Sequence, residues 1–582
     1  MARGSYPVLD RPWRRPGAVG YGLTRLRQIA RPPISIYEPR PGDLIIERDV
    51  PVPMRDGTVL RVNVHRPIDG DVVPVLMSAH PYGKDDVPHR EGRRPRIPLQ
   101  YRMMRAPMPI RHSDLTSWEA PDPVWWVKQG YAVINADLRG AGKSDGVCTL
   151  LSDQEAEDYH DLIEWAAKQP WSTGAVGMLG VSYLAMAQYK TAALRPPSLK
   201  AFCPWEGMTD IYRDMMRPGG LLEDGFVRLW TAGTRRKTRL GIDLGEGRIA
   251  HPLRDDWWTS MVADLKHIQT PMLVCASFSD NNVHTRGSFR AFEQVGSSDK
   301  FAYTHRGGKW SVFYSEEARK VQLAFFDRYL RDADVEPPPR MRLEVRESRD
   351  TVVDVRDESE WPLARTQWRP LYLAPHGVLS DEPSVEDGQI TFATRRNAAA
   401  FTFTVPADLE VTGPMAARLW VSVDGADDAD LCVGVEKWRG NRYVDFEGSF
   451  GWGRDRVTTG WQKLSLRALD EFASTPGQPV HDYLDPAPLT PGEIVPVDIA
   501  LGPSATLFRA GESLRFVVAG RWLSNRNPLA GQFPAHYRRG PAARCTLHWG
   551  PDRPAHLLVP VIPAQGPEPA DGFAPSTGLA PS

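Results

Sequence analysis

The sequence predicts a parallel, doubly wound α/β domain with a helical cap insertion, followed by a C-terminal β-sandwich. Three observations carry this. Between residues 131 and 193, strand and helix patterns alternate, the mark of a parallel sheet with crossover helices. Two more apolar strands, Thr270–Ala276 and Lys300–Thr304, come only after a stretch dense in Trp, Met, Arg and Asp. Beyond Tyr329-Leu330 the apolar residues recur with period two between turn residues, as in Phe401–Val405, Ala417–Val423 and Leu514–Val518.

Taken in order, residues 1–40 form a basic arm with Arg11, Arg14, Arg15, Arg25 and Arg27. Residues 41–198 hold the first part of the α/β domain. Val75–Ala79 reads as a buried strand, and Asp85–Asp122 as a long arginine-rich connection to a Trp125-Trp126 helix. Tyr131–Ala136 is the next strand. Ser152 and Glu155 stand at capping-box spacing, and Tyr159, Leu162, Ile163 and Ala166 follow at helical spacing. Residues 199–265 are the helical cap, 266–335 the second part of the α/β domain, and 340–563 a sandwich of the jelly-roll, galactose-binding-like kind. The Pro/Gly/Ala-rich tail over 564–582 is predicted to be disordered.

The chemistry concentrates at Gly180-Val181-Ser182-Tyr183, where an apolar run turns at once into a helical one. That is the form of a nucleophile elbow, a serine on a tight strand-to-helix turn of an α/β-hydrolase fold. A serine capping a helix would give the same letters. In this fold the acid and then the histidine follow the serine in the chain. Asp280 and His305 occur in that order just past predicted strands, where open α/β sheets place their sites. Asp280 would orient His305, and His305 would take the Ser182 proton. His284, four residues after Asp280, competes as the base. The loop His80-Pro81-Tyr82-Gly83-Lys84 follows an early strand, so the Tyr82 hydroxyl and the Tyr183 N–H are candidate oxyanion donors. Trp205, Glu206, Asp210, Tyr212, Trp230 and Phe278 are candidate pocket residues. Glu206, Asp210 and Asp214 could receive a substrate amine, although their spacing also fits a solvated helix face. Asp424, Asp427, Asp428 and Asp430 could ligate calcium, although a solvated acidic turn explains them as well.

These residues resemble the serine hydrolase family that includes cocaine esterase, X-prolyl dipeptidyl-peptidase and α-amino-acid ester hydrolase. The resemblance rests on Met54-Arg55-Asp56-Gly57, Pro81-Tyr82-Gly83-Lys84, Asp137-Leu138-Arg139-Gly140, Gly180-Val181-Ser182-Tyr183, Trp361-Pro362 and Phe508–Arg515. It implies Ser182 as nucleophile, Asp280 as acid, His305 as base, and Tyr82 with Tyr183 as oxyanion donors. Ala185 stands where the family has glycine. The text around His305 also departs from the family's Pro-Trp-x-His form.

Composition narrows the classes. The chain of 582 residues carries a net charge of −1, so no sequence-wide field favours nucleic acid or a membrane surface. Gly142-Lys143-Ser144 lacks the first glycine of a phosphate loop, Asp137 standing there instead. Five cysteines, odd in number and widely spaced, suit reduced thiols in a cytoplasmic protein. No segment is apolar for long enough to span a membrane. The expectation is a serine hydrolase with no metal and no organic cofactor, acting on a small-molecule ester or amide, first of all as a carboxylic-ester hydrolase. Homo-oligomerisation is compatible with the sequence. Dipeptidyl-peptidase action, acyl transfer by the same residues, and an inactive glycan- or protein-binding scaffold are the alternatives.

Overall fold

The computed structural model describes residues 34–91, 94–97, 110–449, 455–523 and 534–563, with Leu23 and Arg27. The tail over 564–582, most of the basic arm, and part of the Asp85–Asp122 connection lie outside the described residues.

The central sheet is built from β1 (Ile45–Pro53), β2 (Val59–Arg66), β3 (Val73–His80), β4 (Ala132–Asp137), β5 (Ser172–Val181), β6 (Leu199–Trp205), β7 (Met272–Ser277), β8 (Lys300–His305), β9 (Met341–Ser348) and β10 (Thr351–Glu358). They lie side by side in the order β1-β2-β4-β3-β5-β6-β7-β8-β9-β10. From β4 to β9 all neighbours run parallel. The carboxyl ends of β3, β5, β6, β7 and β8 therefore open on one edge, where a ligand can reach them. These strands are buried on both faces, which is why they read as continuous apolar runs.

Local chemistry fixes the helices. α1 (Pro123–Lys128) starts at Asp122, whose carboxylate accepts from the Val124 N–H at 3.2 Å. α2 (Asp153–Ala167) starts at Ser152, whose hydroxyl accepts from the Glu155 N–H at 3.1 Å. Glu155 does not close the box on Ser152. Its carboxylate accepts from the Leu151 N–H at 3.2 Å and from the Tyr183 hydroxyl at 2.7 Å. The cap of one helix thereby anchors the first residue of the next, α3 (Tyr183–Ala193). Burial raises the Glu155 pKa to about 7.

Between β6 and β7 the chain forms short helical pieces, among them α4 (Phe226–Arg235), α5 (Leu244–Ala250) and α6 (Asp256–Thr259). After β7 come α7 (Thr285–Gln294), α8 (Lys309–Phe313) and α9 (Glu316–Arg331). The C-terminal part is antiparallel. In it β13 (Leu409–Asp424) pairs with β16 (Val495–Phe508), β18 (Arg544–Trp549) and β19 (His556–Ile562), after β11 (Gln367–Ala374) and β12 (Ala398–Thr404). β14 (Asp430–Arg439) pairs with β15 (Thr458–Lys463) and β17 (Ser513–Ala519). Alternate residues of these strands close a second apolar core, with Leu419, Val421, Val433, Ile499 and Phe516 fully buried.

In the acidic turn at 424–430, Asp424 and Asp427 are exposed while Asp428 is engaged. Asp428 accepts from the Ser465 N–H at 2.9 Å and hydroxyl at 2.8 Å, and pairs with Lys463 at 2.6 Å. Those protein donors occupy the lone pairs that calcium would need.

The β-domain braces the carboxyl edge of the sheet. Arg306, directly after β8, is fully buried and donates to the Ser504 hydroxyl at 3.1 Å and the Val457 carbonyl at 2.9 Å. Its guanidinium lies 4.0 Å from the centre of the Phe446 ring. Burial pulls its pKa down to about 9. Arg286 of α7 reaches the Thr459 carbonyl at 2.9 Å.

Candidate active site

Ser182 sits at φ 60°, ψ −117°, between the end of β5 and the first turn of α3. That conformation is costly for a residue with a Cβ and survives only when its surroundings impose it. Two hydrogen bonds do so: the Ser182 N–H donates to the Trp205 carbonyl at 3.1 Å, and the Val181 N–H to the Glu119 carbonyl at 3.1 Å. A Cβ on Gly180 would stand 2.4 Å from the Leu184 Cβ, so the elbow requires glycine there. The departure at Ala185 is compensated across the gap. A Cβ on Gly207 would lie 2.8 Å from the Ala185 Cβ, so the missing methylene is on the facing segment instead. Ser182 is partly exposed while Val181 and Tyr183 on either side are buried.

The hydroxyl of Ser182 lies 3.1 Å from His284 Nε2. His284 Nδ1 lies 2.5 Å from Asp280 Oδ2. The loop after β7 makes this possible. The Asp280 carbonyl accepts the N–H groups of Val283, His284 and Thr285, each at 3.1 Å, which winds one helical turn and sets residues 280 and 284 on one face. Nδ1 stands between two opposite demands, the accepting Asp280 carboxylate and the donating Lys309 ammonium at 2.8 Å; with its proton toward Asp280, Nε2 presents its lone pair to the serine. Burial works to raise the Asp280 pKa, but the Lys309 ammonium and His284 outweigh it and hold the carboxyl far below its usual range. Burial lowers the His284 pKa, Lys309 lowers it further, and Asp280 opposes both.

His305, expected to be the partner of Ser182, is engaged elsewhere. It ends β8 as a strand residue, and the pleat turns its ring inward. Its Nδ1 accepts from the Gly307 N–H at 3.1 Å, so Nε2 holds the proton and donates to Glu206 Oε1 at 3.1 Å. Trp205 stacks beside the ring with centroids 6.5 Å apart. Glu206, Cys275 and His305 are the one grouping among the described residues with metal-ligand proximity, their ligand atoms lying within 4.8 Å of one another. The tautomer fixed by Gly307 points a proton, not a lone pair, into that space, so the donor set does not fit a cation.

Tyr82 follows β3, and its hydroxyl accepts from the Trp230 indole N–H at 3.0 Å, which leaves its own proton to donate. Burial, then the Glu119 charge, raise its pKa well above the phenol range, so it stays protonated. Lys84 pins this loop. Its N–H donates to Asp137 at 2.6 Å, and its fully buried ammonium binds Asp49 at 2.5 Å and Asp85 at 2.7 Å. Tyr183 is the first residue of α3, so its N–H has no carbonyl one turn back to bind.

Of the expected pocket residues, Trp230 stacks its indole on Tyr183 at 6.2 Å, and Glu206 reaches the edge only as the partner of His305. Trp205 is core, packed on Tyr303 and Phe313. Tyr212 packs on Trp258 and Tyr483, and Phe278 on Phe289 and Trp361. Asp210 and Asp214 are neither solvated nor open to a ligand. Asp210 pairs with Arg254 at 2.9 Å, and Asp214 takes Arg290 at 2.9 and 3.1 Å. The Asp214–Arg290 pair ties the segment between β6 and β7 to α7.

Two residues at the site were not anticipated. Lys309 is buried, 2.6 Å from Asp280 Oδ2 and 2.8 Å from His284 Nδ1. Glu119 is buried at φ 65°, accepts the Trp310 indole N–H at 3.2 Å, and leaves Oε2 without a partner. Burial raises its pKa to about 8 against the pull of Lys309. The only sequence signal for Lys309 is the Gly307-Gly308 pair that lets the chain turn into α8.

Residues 56–310 match the model of the X-Pro dipeptidyl-peptidase (S15) family, and residues 333–557 that of the X-Pro dipeptidyl-peptidase C-terminal non-catalytic domain. Cocaine esterase of a Rhodococcus species is 26% identical, with 90% of this chain and 99% of that protein aligned. A CocE/NonD family hydrolase of Staphylococcus aureus superposes with a TM-score of 0.84 at 36% identity, covering 89% of this chain and 94% of its own. An α-amino acid ester hydrolase shares the fold, with a TM-score of 0.68 at 17% identity over 96% of this chain and all of the other. With a serine elbow at the sheet edge and a relative of this closeness along its length, the chain belongs to the CocE/NonD family of S15 serine hydrolases.

Proposed function

We propose that this protein is a carboxylic-ester hydrolase that works through an acyl-enzyme on Ser182, with His284 as base and Asp280 as its orienting acid. The carrying observation is the continuous path from the Ser182 hydroxyl through both nitrogens of His284 to Asp280. Ser182 Oγ attacks the acyl carbon while His284 Nε2 takes its proton. The carbonyl π electrons move onto oxygen, which receives the Tyr82 hydroxyl and the Tyr183 N–H. The tetrahedral species collapses, and the imidazolium gives its proton to the leaving alkoxide oxygen. Water then repeats the two steps on the acyl-enzyme and releases the acid.

Ester is favoured over peptide as substrate because the carboxylates considered for an amine are buried and each is already engaged through at least one oxygen. Glu206 accepts from His305, Asp210 is held by arginines, and Asp214 is held by Arg290. The substrate is a small acyl ester, admitted past Trp230. We read the C-terminal strands as a jelly-roll sandwich whose part in the reaction is to brace the Asp280 and His305 loops. No helix among the described residues is long and apolar enough to cross a membrane. All five cysteines are buried and free, which favours a cytoplasmic location.

Intact-mass spectrometry after an organophosphonate probe tests this reading. One adduct is expected on the wild type and none on Ser182→Ala. An unlabelled wild type would overturn it.

A further inference from the structure

Lys309 brings a fixed positive charge to the base. Its Nζ lies 2.6 Å from Asp280 Oδ2 and 2.8 Å from His284 Nδ1, and its side chain is 3% exposed. The position is set from outside the α/β domain, because the Lys309 N–H donates to the Ser449 carbonyl at 2.8 Å. The charged and titratable groups that face it are Asp280 on its own edge of the sheet, Glu206 at the end of β6, Glu119 ahead of α1, and His284. Glu206, which accepts from His305, adds a second attraction weaker than that of Asp280, and burial keeps Glu119 largely neutral near pH 7. Asp280 is therefore the main counter-charge.

The ring of His284 has two neutral forms. With the proton on Nδ1 it donates to Asp280, and Nε2 can accept from Ser182. With the proton on Nε2, Nδ1 would accept from Lys309 and the ring could not take the serine proton. An ionised Asp280 selects the first form, and Lys309 keeps Asp280 ionised by donating to the same oxygen. A resting imidazolium would have to form beside an ammonium in a buried site, which like-charge repulsion opposes. Resting on the hydrolase reading above, we propose that Lys309 is a positioning residue of the triad, whose ammonium keeps Asp280 ionised and holds the resting His284 neutral well into the acid range.

The test is the pH dependence of the inactivation rate by an organophosphonate, followed by intact mass on the wild type, Lys309→Met and Lys309→Arg. The wild-type acid limb is expected at least about one pH unit below the ordinary imidazole value of ~6.5. In Lys309→Met the limb moves up by about one unit or more, a roughly tenfold loss of rate at pH values beneath it. Lys309→Arg keeps the limb low, because it keeps the charge. A wild-type limb at or above ~6.5, or an unmoved limb in Lys309→Met, would overturn the proposal. A merely structural role lowers the rate at every pH and leaves the limb in place. If Lys309→Met does not fold, the wild-type limb and the arginine variant still decide. A wild type that no probe labels at any pH would remove the hydrolase reading and this proposal with it, whereas normal labelling with an ordinary limb would remove this proposal alone.

Discussion

Two buried histidine–carboxylate pairs lie on neighbouring strand ends of the same sheet. His284 pairs with Asp280 at 2.5 Å and His305 with Glu206 at 3.1 Å. Both sit at the carboxyl edge, and by position alone either could serve a serine. What separates them is the use of the second nitrogen. In His284 it faces Ser182; in His305 it accepts a backbone N–H from Gly307 and is closed off. Placement at a strand end is a weak criterion, and the hydrogen-bond partner of each ring nitrogen is the sharp one.

Substitution separates the two pairs. The largest effects belong to the serine path. Ser182→Ala and His284→Ala should each lose at least about 10³-fold in kcat/KM with circular dichroism unchanged. Asp280→Asn should lose about 10⁴-fold, because an amide would stabilise the wrong tautomer of His284. A greater loss in His305→Ala than in His284→Ala, measured side by side on a chromogenic ester, would reverse the two roles.

Next in size is the effect at Tyr82, the proposed oxyanion donor. Tyr82→Phe keeps the ring that packs at the sheet edge and removes its hydroxyl, so about 10²–10³-fold should be lost from kcat with little change in KM. An equal loss confined to KM would place Tyr82 in substrate binding instead.

His305→Ala should act on stability instead. It leaves Glu206 buried without its donor, at a cost of about 1–3 kcal/mol by urea unfolding, while turnover stays within about tenfold of the wild type. The remaining effect is the pH dependence of stability at Glu119. Its folded pKa of about 8 lies above the ordinary 4.5, so folding takes up a proton between those values. The contribution of neutral Glu119 is complete below pH 4.5 and is lost as pH rises towards 8. The wild-type Tm should therefore fall across that window, and Glu119→Gln should flatten the fall. A parallel decline in both proteins would show that Glu119 does not titrate there.

The sequence by itself determined the order of α/β sheet, insertion and β-rich domain, because strand and helix periodicities follow from burial on one or two faces. It also singled out Ser182 and Asp280, which the structure joins through His284. A Gly-x-Ser between an apolar strand and a helix has few local alternatives, and Asp280 follows an apolar run at a strand end. The tertiary structure alone decided which histidine meets the serine. His305 is held by the pleat of β8, while His284 depends on one helical turn closing on the Asp280 carbonyl, and no residue pattern separates these in advance. It also decided that Asp210 and Asp214 are buried in arginine pairs, since their partners Arg254 and Arg290 lie far along the chain. Lys309 was illegible for the same reason. A lysine after two glycines reads as surface until the β-domain carbonyl of Ser449 and the carboxylate of Asp280 fix its two ends.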